Sequence, residues 1–149
     1  MLGNLAKKLR MLGYDTEYHS SIDDEKLITL ARQEDRILLT KDVILASNAN
    51  KNVQSLLIKG NDDLDQLVQI FGFLGIGNIP ISTDLAYCIS CNGKLVSIEK
   101  NLIRDKVPDG VYHMQQNFWI CDNCRKIFWE GTHFKKIQEF VSKLNNRLS

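Results

Sequence analysis

The segment CISCNGK, residues 88–94, and its counterpart CDNCRK, residues 121–126, decide how the second half of this 149-residue chain folds. Each holds two cysteines separated by two residues, and 29 residues lie between the two pairs. This spacing lets one tight turn present both sulfurs, and the asparagine and glycine residues in these segments favour such turns. Because zinc binds four thiolates in a tetrahedron, the pattern predicts a closed, structural zinc site. Its four ligands are Cys88, Cys91, Cys121 and Cys124.

Two other interpretations of the four cysteines stay open, namely buried free thiols and a redox pair. An iron–sulfur cluster fits the symmetric spacing less well. The N-terminus lacks a signal-peptide pattern, and no apolar run approaches the roughly 20 residues that a membrane span needs. We therefore expect a cytoplasmic protein without a membrane partner. In that compartment, paired cysteines indicate metal binding rather than disulfides.

The length of the chain suits one ordinary domain followed by a small metal-stapled module. The glycine-rich segment GFLGIGNIPIST, residues 72–83, carries the first proline and predicts a boundary there, with domains at residues 1–80 and 81–149. Residues 1–84 carry 9 basic and 12 acidic side chains, whereas residues 85–149 carry 10 and 6. The acidic half is the expected place for a cation-dependent site, and the basic half is the expected place for a polyanion.

The first half of the chain alternates predicted helices with predicted strands. Helices are predicted in MLGNLAKKLRML, SSIDDEKLITLARQED, KDVILASNANK and GNDDLDQLVQIFGFLG, and strands in DTEYH, RILLT and VQSLLIK. Ser21 with Asp24 resembles a capping box, and Asn61 is the expected cap of the fourth helix. Strands that alternate with helices predict an α/β fold, in which a parallel sheet is covered by helices on both faces.

The second half is predicted to be built from two hairpins and one helix. CISCNGKLVSIEK predicts a cysteine knuckle followed by a strand, and NFWICDNCRKIFW predicts strand, knuckle and strand. The final segment, HFKKIQEFVSKLNNRLS, is a predicted amphipathic helix. Aromatic residues crowd this half. They either build its small core or leave one or two rings exposed to stack on bases, and the sequence leaves both interpretations open.

Two acids fall at the expected carboxyl edge of the parallel sheet. Asp42 lies just past the strand RILLT, and Asp24 begins the helix that precedes this strand. Ligands of open parallel sheets bind beyond the carboxyl ends of the strands. Carboxylates there can hold magnesium or manganese, and such an ion can activate water and neutralise a phosphate. The alternative is that both acids only cap helices or complement the helix dipole.

Several segments, in order, resemble one known family. MLGNLAKKLRMLGYDT, DDEKLITLARQEDRILLTKD, CISCNGKL, KVPDGVY and CDNCRKIFWEGTHF are similar to the Mut-seven C-terminal ribonuclease domain family. The resemblance covers nearly the whole chain. It implies a PIN-like nuclease domain, with a parallel sheet and helices on both faces, followed by a small zinc ribbon. It also implies a metal-dependent ribonuclease that cuts phosphodiester bonds.

The resemblance assigns site residues position by position. Asp24 and Asp42 match the acids that hold a catalytic magnesium or manganese ion, Thr40 stands beside Asp42 in the TxD motif, and Asp23 is an adjacent candidate. Arg36 and His133 match the family pattern and are expected to touch RNA. The ribbon's basic face, with Lys126, Lys135 and Lys136, is expected to hold the RNA backbone.

One departure from the family pattern concerns the start of the sequence. The family has a short strand with an aspartate two residues before its MLG motif, and here MLG is residues 1–3. The expected strand and its metal-binding aspartate therefore lie outside this sequence. Two hypotheses follow. The first is a ribonuclease whose zinc ribbon aids RNA binding, and the second is an RNA- or partner-binding protein with a degenerate, inactive nuclease site. PIN-like domains often pair, so a homodimer is a further expectation.

Overall fold

A computed structural model describes residues 2–149, and these contain six α-helices, five strands and three single turns of 3₁₀ helix. The helices are α1 (Gly3–Met11), α2 (Asp24–Gln33), α3 (Val43–Ala49), α4 (Asp63–Leu74), α5 (Asp109–Met114) and α6 (Thr132–Leu148). The strands are β1 (Leu38–Thr40), β2 (Ser55–Leu57), β3 (Leu95–Ile98), β4 (Phe118–Cys121) and β5 (Ile127–Trp129). Met1, the predicted start of the first helix, lies outside the described residues. None of the described helices is long and apolar enough to cross a membrane.

Contacts along the chain divide it into two compact units. Unit 1 contains the residues up to Leu5, Tyr18–Gly77 and Leu148, and unit 2 contains Ala6–Glu17, Asn78–Arg147 and Ser149. The predicted domain boundary near residue 80 stays a prediction, because units defined by contacts need not be the units that fold independently.

The sheet of unit 1 has two parallel strands. Leu38 in β1 lies opposite Ser55 in β2, and Thr40 lies opposite Leu57. Two parallel strands need a crossover between them, and α3 supplies it. Buried residues of β1 and α3 form a common core, to which α2 and the loop before β2 contribute half-buried side chains: Leu38, Leu45, Ala49, Leu27, Ile28 and Val53. The predicted strands RILLT and VQSLLIK and the mixed α/β fold are confirmed.

The strand predicted in DTEYH is wrong, since residues 14–19 form no strand. No strand of the described residues pairs with this segment, and Thr16 is bonded elsewhere. The Thr16 N–H donates to Oδ1 of Asn92 at 3.0 Å, and the Thr16 hydroxyl donates to the Tyr14 carbonyl at 2.9 Å. Gly13 precedes it with φ of +96°, and this left-handed conformation ends the turn after α1.

Two predicted helix caps are displaced by one or two residues. Asp23, rather than Ser21, caps α2, and its Oδ1 accepts from the Lys26 N–H at 2.8 Å. Asp62, rather than Asn61, caps α4, and its Oδ1 accepts from the Asp65 N–H at 2.8 Å. In both cases a carboxylate one or two residues further along the chain bonds the N–H while also complementing the helix dipole.

Unit 2 is built around a three-stranded antiparallel sheet in the order β3-β4-β5. Leu95 of β3 pairs with Cys121 of β4, and Phe118 of β4 pairs with Trp129 of β5. A buried cluster lies on each face of the sheet, one of Ala86, Leu95, Trp119 and two of the cysteines, and the other of Ile103, Val107 and Phe118. The predicted order of strands, knuckles and final helix is confirmed.

Candidate functional site

The four cysteine sulfurs lie within 4.8 Å of one another. Cys88 Sγ is 3.7 Å from Cys124 Sγ, and Cys91 Sγ is 3.4 Å from Cys121 Sγ. A zinc ion with Zn–S bonds of about 2.3 Å holds its four sulfurs about 3.8 Å apart. The four side chains therefore fit one tetrahedral metal ion such as zinc, and the cluster predicted from the CxxC spacing is present.

The two knuckles have the same backbone bonding. In the first, the Cys88 N–H donates to the Gly93 carbonyl at 2.8 Å, and in the second the Cys121 N–H donates to the Lys126 carbonyl at 2.9 Å. The residue after each second cysteine has a positive φ of 67° in both knuckles. That conformation is easy for Asn92 in the first knuckle and costs more for an arginine in the second. Each turn thus presents its two sulfurs in the same way.

Gly93 is the residue that lets the two knuckles approach. A Cβ at this position would lie 2.6 Å from Cys121 Sγ and 3.2 Å from Cys91 Sγ. Only a residue without a side chain leaves room for the sulfurs there. From the sequence Gly93 is predicted only as a turn residue, because its packing role depends on the opposite knuckle.

Backbone N–H groups and burial set the charge state of the sulfurs. The Gly93 N–H donates to Cys91 Sγ at 3.4 Å, and the Asn123 N–H donates to Cys121 Sγ at 3.4 Å. A hydrogen bond from the Asn123 side chain lowers the pKa of the Cys91 thiol to about 6. Burial raises the pKa of Cys88 to about 12 and also raises the pKa of Cys121. A bound cation is thus needed to keep these two sulfurs as thiolates at neutral pH.

A buried arginine on α1 holds the first knuckle from outside. Arg10 is charged but only 8% exposed. Its Nε donates to the Thr16 carbonyl and its Nη1 donates to the Ile89 carbonyl, both at 2.9 Å. Ile89 lies between the two cysteines of this knuckle. Asn92, just after the knuckle, also donates from Nδ2 to Oδ1 of Asp15 at 2.6 Å. The helical periodicity of the sequence does not predict this role, because Arg10 is one of several basic residues in the predicted helix.

Asp42 caps α3 at the carboxyl end of β1. Its Oδ1 accepts from the N–H groups of Ile44 at 2.9 Å and Leu45 at 3.1 Å. Thr40 Oγ1 accepts from the Asp42 N–H at 3.0 Å, so the threonine of the TxD motif fixes the turn. The side chain of Asp42 is exposed, and among residues 2–149 no hydrogen bond reaches its Oδ2. Asp42 therefore caps α3, and its second carboxylate oxygen is not used by any described residue.

Asp23 and Asp24 stand at the start of α2, and both are exposed. Asp23 is the cap of α2, with its Oδ2 3.7 Å from Lys26 Nζ. Asp24 is the first residue of the helix. Among residues 2–149, the four cysteines are the only group of three or more histidine, cysteine or acidic side chains close enough to share a metal ion. The structure thus does not bring Asp23, Asp24 and Asp42 together as a set of three ligands.

The predicted RNA-contacting residues are mostly exposed. Arg36 is half-buried just before β1, with its Nε 3.6 Å from Glu34 Oε1. Lys126 follows the second knuckle, and its Nζ donates to Ser90 Oγ at 3.2 Å. The three α6 candidates are all exposed: His133, Lys135 and Lys136.

Comparison with known families gives one result. The family model described as Mut7-C RNAse domain matches residues 1–141. Comparisons with curated proteins and with solved structures give no match. The match covers both the acidic segments of unit 1 and the two knuckles of unit 2, and it indicates a ribonuclease-type function. On this match the chain belongs to the Mut7-C RNAse domain family, the Mut-seven C-terminal ribonuclease family that its sequence resembles.

Proposed function

We propose that this chain is a ribonuclease that hydrolyses RNA phosphodiester bonds with the help of a divalent cation held at the carboxyl end of β1. The observation that carries the proposal is the turn from Thr40 to Asp42. It fixes the backbone through the threonine hydroxyl and leaves a carboxylate oxygen of Asp42 exposed at the edge where ligands of parallel sheets bind. Membership of a ribonuclease family agrees with this assignment.

The residues of the edge have separable roles in this proposal. Magnesium or manganese bound there would neutralise charge on the phosphate and lower the pKa of a water molecule. Asp42 offers Oδ2, because Oδ1 is used by the N–H groups of α3 and thereby orients the carboxylate. Asp24 offers a second carboxylate from the first turn of α2, and Asp23 is its neighbour. Thr40 positions Asp42 and does not need to touch the substrate.

We assign a structural role to the metal of the cysteine cluster. Four sulfurs complete a tetrahedron, which leaves no ligand position for water. Zinc fits these donors, and its binding would fix the two knuckles of unit 2. On that unit, Lys126, Lys135 and Lys136 would bind RNA phosphates, and His133 would contact RNA beside them. Arg36, on unit 1, is proposed as a further phosphate contact.

The test compares two aspartates that do the same structural work. Asp42 and Asp62 both cap helices, and asparagine caps almost equally well. Asp42→Asn should abolish cleavage of a labelled single-stranded RNA in the presence of manganese, whereas Asp62→Asn should cleave like the wild type. Both variants should keep the wild-type melting temperature and zinc content. Equal cleavage by the two variants would contradict the assignment.

A second candidate function is an RNA-binding protein without hydrolytic activity. The observation that favours it is that the acidic residues among residues 2–149 form no group of three metal ligands. It predicts RNA binding with no added divalent cation, and no cleavage by this chain with manganese. Cleavage that chelation of manganese stops, and that its return restores, would exclude this candidate.

A further inference from the structure

Unit 2 contains a cavity beside β5 that neither the zinc cluster nor the acidic edge uses. Its volume is about 290 Å³, and its walls include Ile81, Phe134 and Ile137 together with the side of β5. This volume lies at the small end of ligand pockets, which begin at roughly 300 Å³. The cavity is therefore large enough for one small ring.

One wall of the cavity carries unpaired backbone groups. β5 is the last strand of its sheet and pairs only with β4. The Cys121 N–H donates to the Lys126 carbonyl, and in an antiparallel pair only every second residue along a strand bonds to its neighbour. The N–H and C=O groups of Ile127 and Trp129 therefore point away from β4, and within residues 2–149 no protein group bonds to them. A ligand in the cavity would meet alternating donors and acceptors along this edge.

The two tryptophans of the chain differ in a way that also points to the cavity. Trp119 is buried, and its indole N–H donates to Asp84 Oδ1 at 2.8 Å. Trp129 is half-buried, lines the cavity, and its indole N–H has no acceptor among the described residues. A half-buried tryptophan usually finds a partner for its N–H. Tyr87, Phe128 and Phe134 also line the cavity, so several of its walls are aromatic.

Basic residues adjoin the cavity lining along the chain. Lys135 and Lys136 come directly after Phe134 on α6, and Lys126 comes directly before β5. Helix α6 carries four lysine and arginine side chains against one glutamate. Glu130, the acid next to β5, is engaged by the Thr83 hydroxyl, which donates to its Oε2 at 2.7 Å. An anionic ligand with a flat ring is the chemistry that matches both features.

From these features we propose that the cavity receives one unpaired nucleobase of an RNA strand. The ring lies against Phe128 and Phe134, its polar edge bonds the backbone of Ile127 and Trp129, and the flanking phosphates meet Lys135 and Lys136. This inference rests on the proposed function, since it takes RNA as the ligand. It adds that unit 2 binds a base as well as the phosphate backbone. Any base can stack on an aromatic ring, so this contact does not require a particular RNA sequence.

An added peptide strand is the main competitor for an open sheet edge. The bond between Thr83 and Glu130 fastens the segment 81–83 next to the end of β5, and this segment is itself a wall of the cavity. A strand that extended the sheet would have to run past Trp129 through this wall. A single flat ring is short enough to bind this edge without crossing the wall.

The experiment compares RNA with a strand that lacks bases. The zinc-loaded full chain, with no magnesium or manganese added, is titrated into a labelled ten-nucleotide single-stranded RNA and into an abasic strand of the same length. The wild type should bind the RNA about tenfold more tightly or better. Ser82→Phe fills the cavity, and Phe134→Ala removes a ring from its wall. Both should bring the two affinities to within about twofold, because only base binding is lost.

Phe73→Ala is the matched control, since Phe73 is an exposed phenylalanine that does not line the cavity. It should keep the wild-type preference for RNA. Zinc content and melting temperature confirm folding, and Ser82→Phe decides the matter if Phe134→Ala is unfolded. In ¹⁵N NMR spectra, adenosine monophosphate should shift the indole N–H of Trp129 and the amide signals of Ile127 and Trp129.

Equal affinities of the wild type for RNA and the abasic strand would overturn the inference. So would a preference for RNA that survives in Ser82→Phe, or a short apolar peptide, in place of the nucleotide, that shifts the β5 amide signals. Cleavage separates this inference from the proposed function. A retained base preference with no cleavage contradicts the ribonuclease alone, and cleavage with equal affinities contradicts the base site alone.

Discussion

The cysteine cluster of unit 2 and the acidic edge of unit 1 are both predicted metal sites, yet their side chains are used differently. The four sulfurs converge to within 4.8 Å, and two of the cysteines are fully buried. The acids at the edge are exposed, and Asp23 and Asp42 each give an oxygen to a helix end. A thiol has little other structural use, whereas a carboxylate also caps helices. A metal bound at the cluster should therefore be tight and coupled to folding, and a cation at the edge should be weak and exchangeable.

The largest effect should follow from removing a ligand of the cluster. Cys121→Ser should eliminate zinc binding and unfold unit 2, because zinc in small structural sites contributes about 10 kcal/mol or more. Zinc analysis and circular dichroism measure both losses. Ser90→Ala, in the first knuckle but outside the ligand set, is the control and should keep a metal-to-chain ratio of about one. A folded Cys121→Ser variant with unchanged melting would show that the cluster does not hold unit 2 together.

A smaller effect should follow from crowding the cluster while keeping its ligands. Gly93→Ala places a Cβ 2.6 Å from Cys121 Sγ, and overpacking of this kind typically costs about 1–3 kcal/mol. Competition with a chelator should therefore show zinc binding weakened by roughly tenfold. Gly110→Ala is the matched control, since a Cβ there meets nothing within 4 Å. Equal zinc affinities of the two variants would contradict the packing role of Gly93.

The smallest of these effects should come from the arginine that holds the first knuckle. Arg10→Met removes two hydrogen bonds from a charged donor and leaves the carbonyls of Thr16 and Ile89 without it. Charge-assisted bonds of this kind are worth about 1.5–3 kcal/mol each, but methionine also removes the cost of burying the charge, so urea unfolding should show a net loss of only about 1 kcal/mol. Lys7→Met, at an exposed position of the same helix, should change stability little. If both variants unfold alike, Arg10 does not support the knuckle.

The sequence predicted the elements whose pattern is local. The strand RILLT is buried in unit 1, and the spacing of the cysteines fixes the knuckles without reference to the rest of the chain. The strand predicted in DTEYH failed because its composition suits a strand but no neighbouring strand pairs with it. Arg10, Asn92 and Gly93 could not be assigned because their partners are far along the chain, as in the bond from Arg10 to Ile89. Contacts of this kind appear only after the chain has folded.

The roles of the acids at the carboxyl end of β1 could not be predicted for the same reason. Position in the sequence placed Asp42 after β1 and Asp24 at the start of α2, and both positions are correct. Whether a carboxylate caps a helix, holds a cation or does both depends on which of its oxygens is bonded. In Asp42, Oδ1 accepts the N–H groups of Ile44 and Leu45, whereas no described residue bonds to Oδ2. If Asp42 holds a cation, as we propose, this division between its two oxygens would allow it to cap α3 at the same time.

The most direct test of this division is the binding of manganese to the zinc-loaded chain. Paramagnetic Mn²⁺ broadens NMR signals near its site, so a titration reports binding without any catalysis. We predict selective broadening of the amide signals of Ile44, Leu45 and the first turn of α2, and its loss in Asp42→Asn but not in Asp62→Asn. No selective broadening at the start of α3, or the same broadening in Asp42→Asn, would contradict a cation site at this edge.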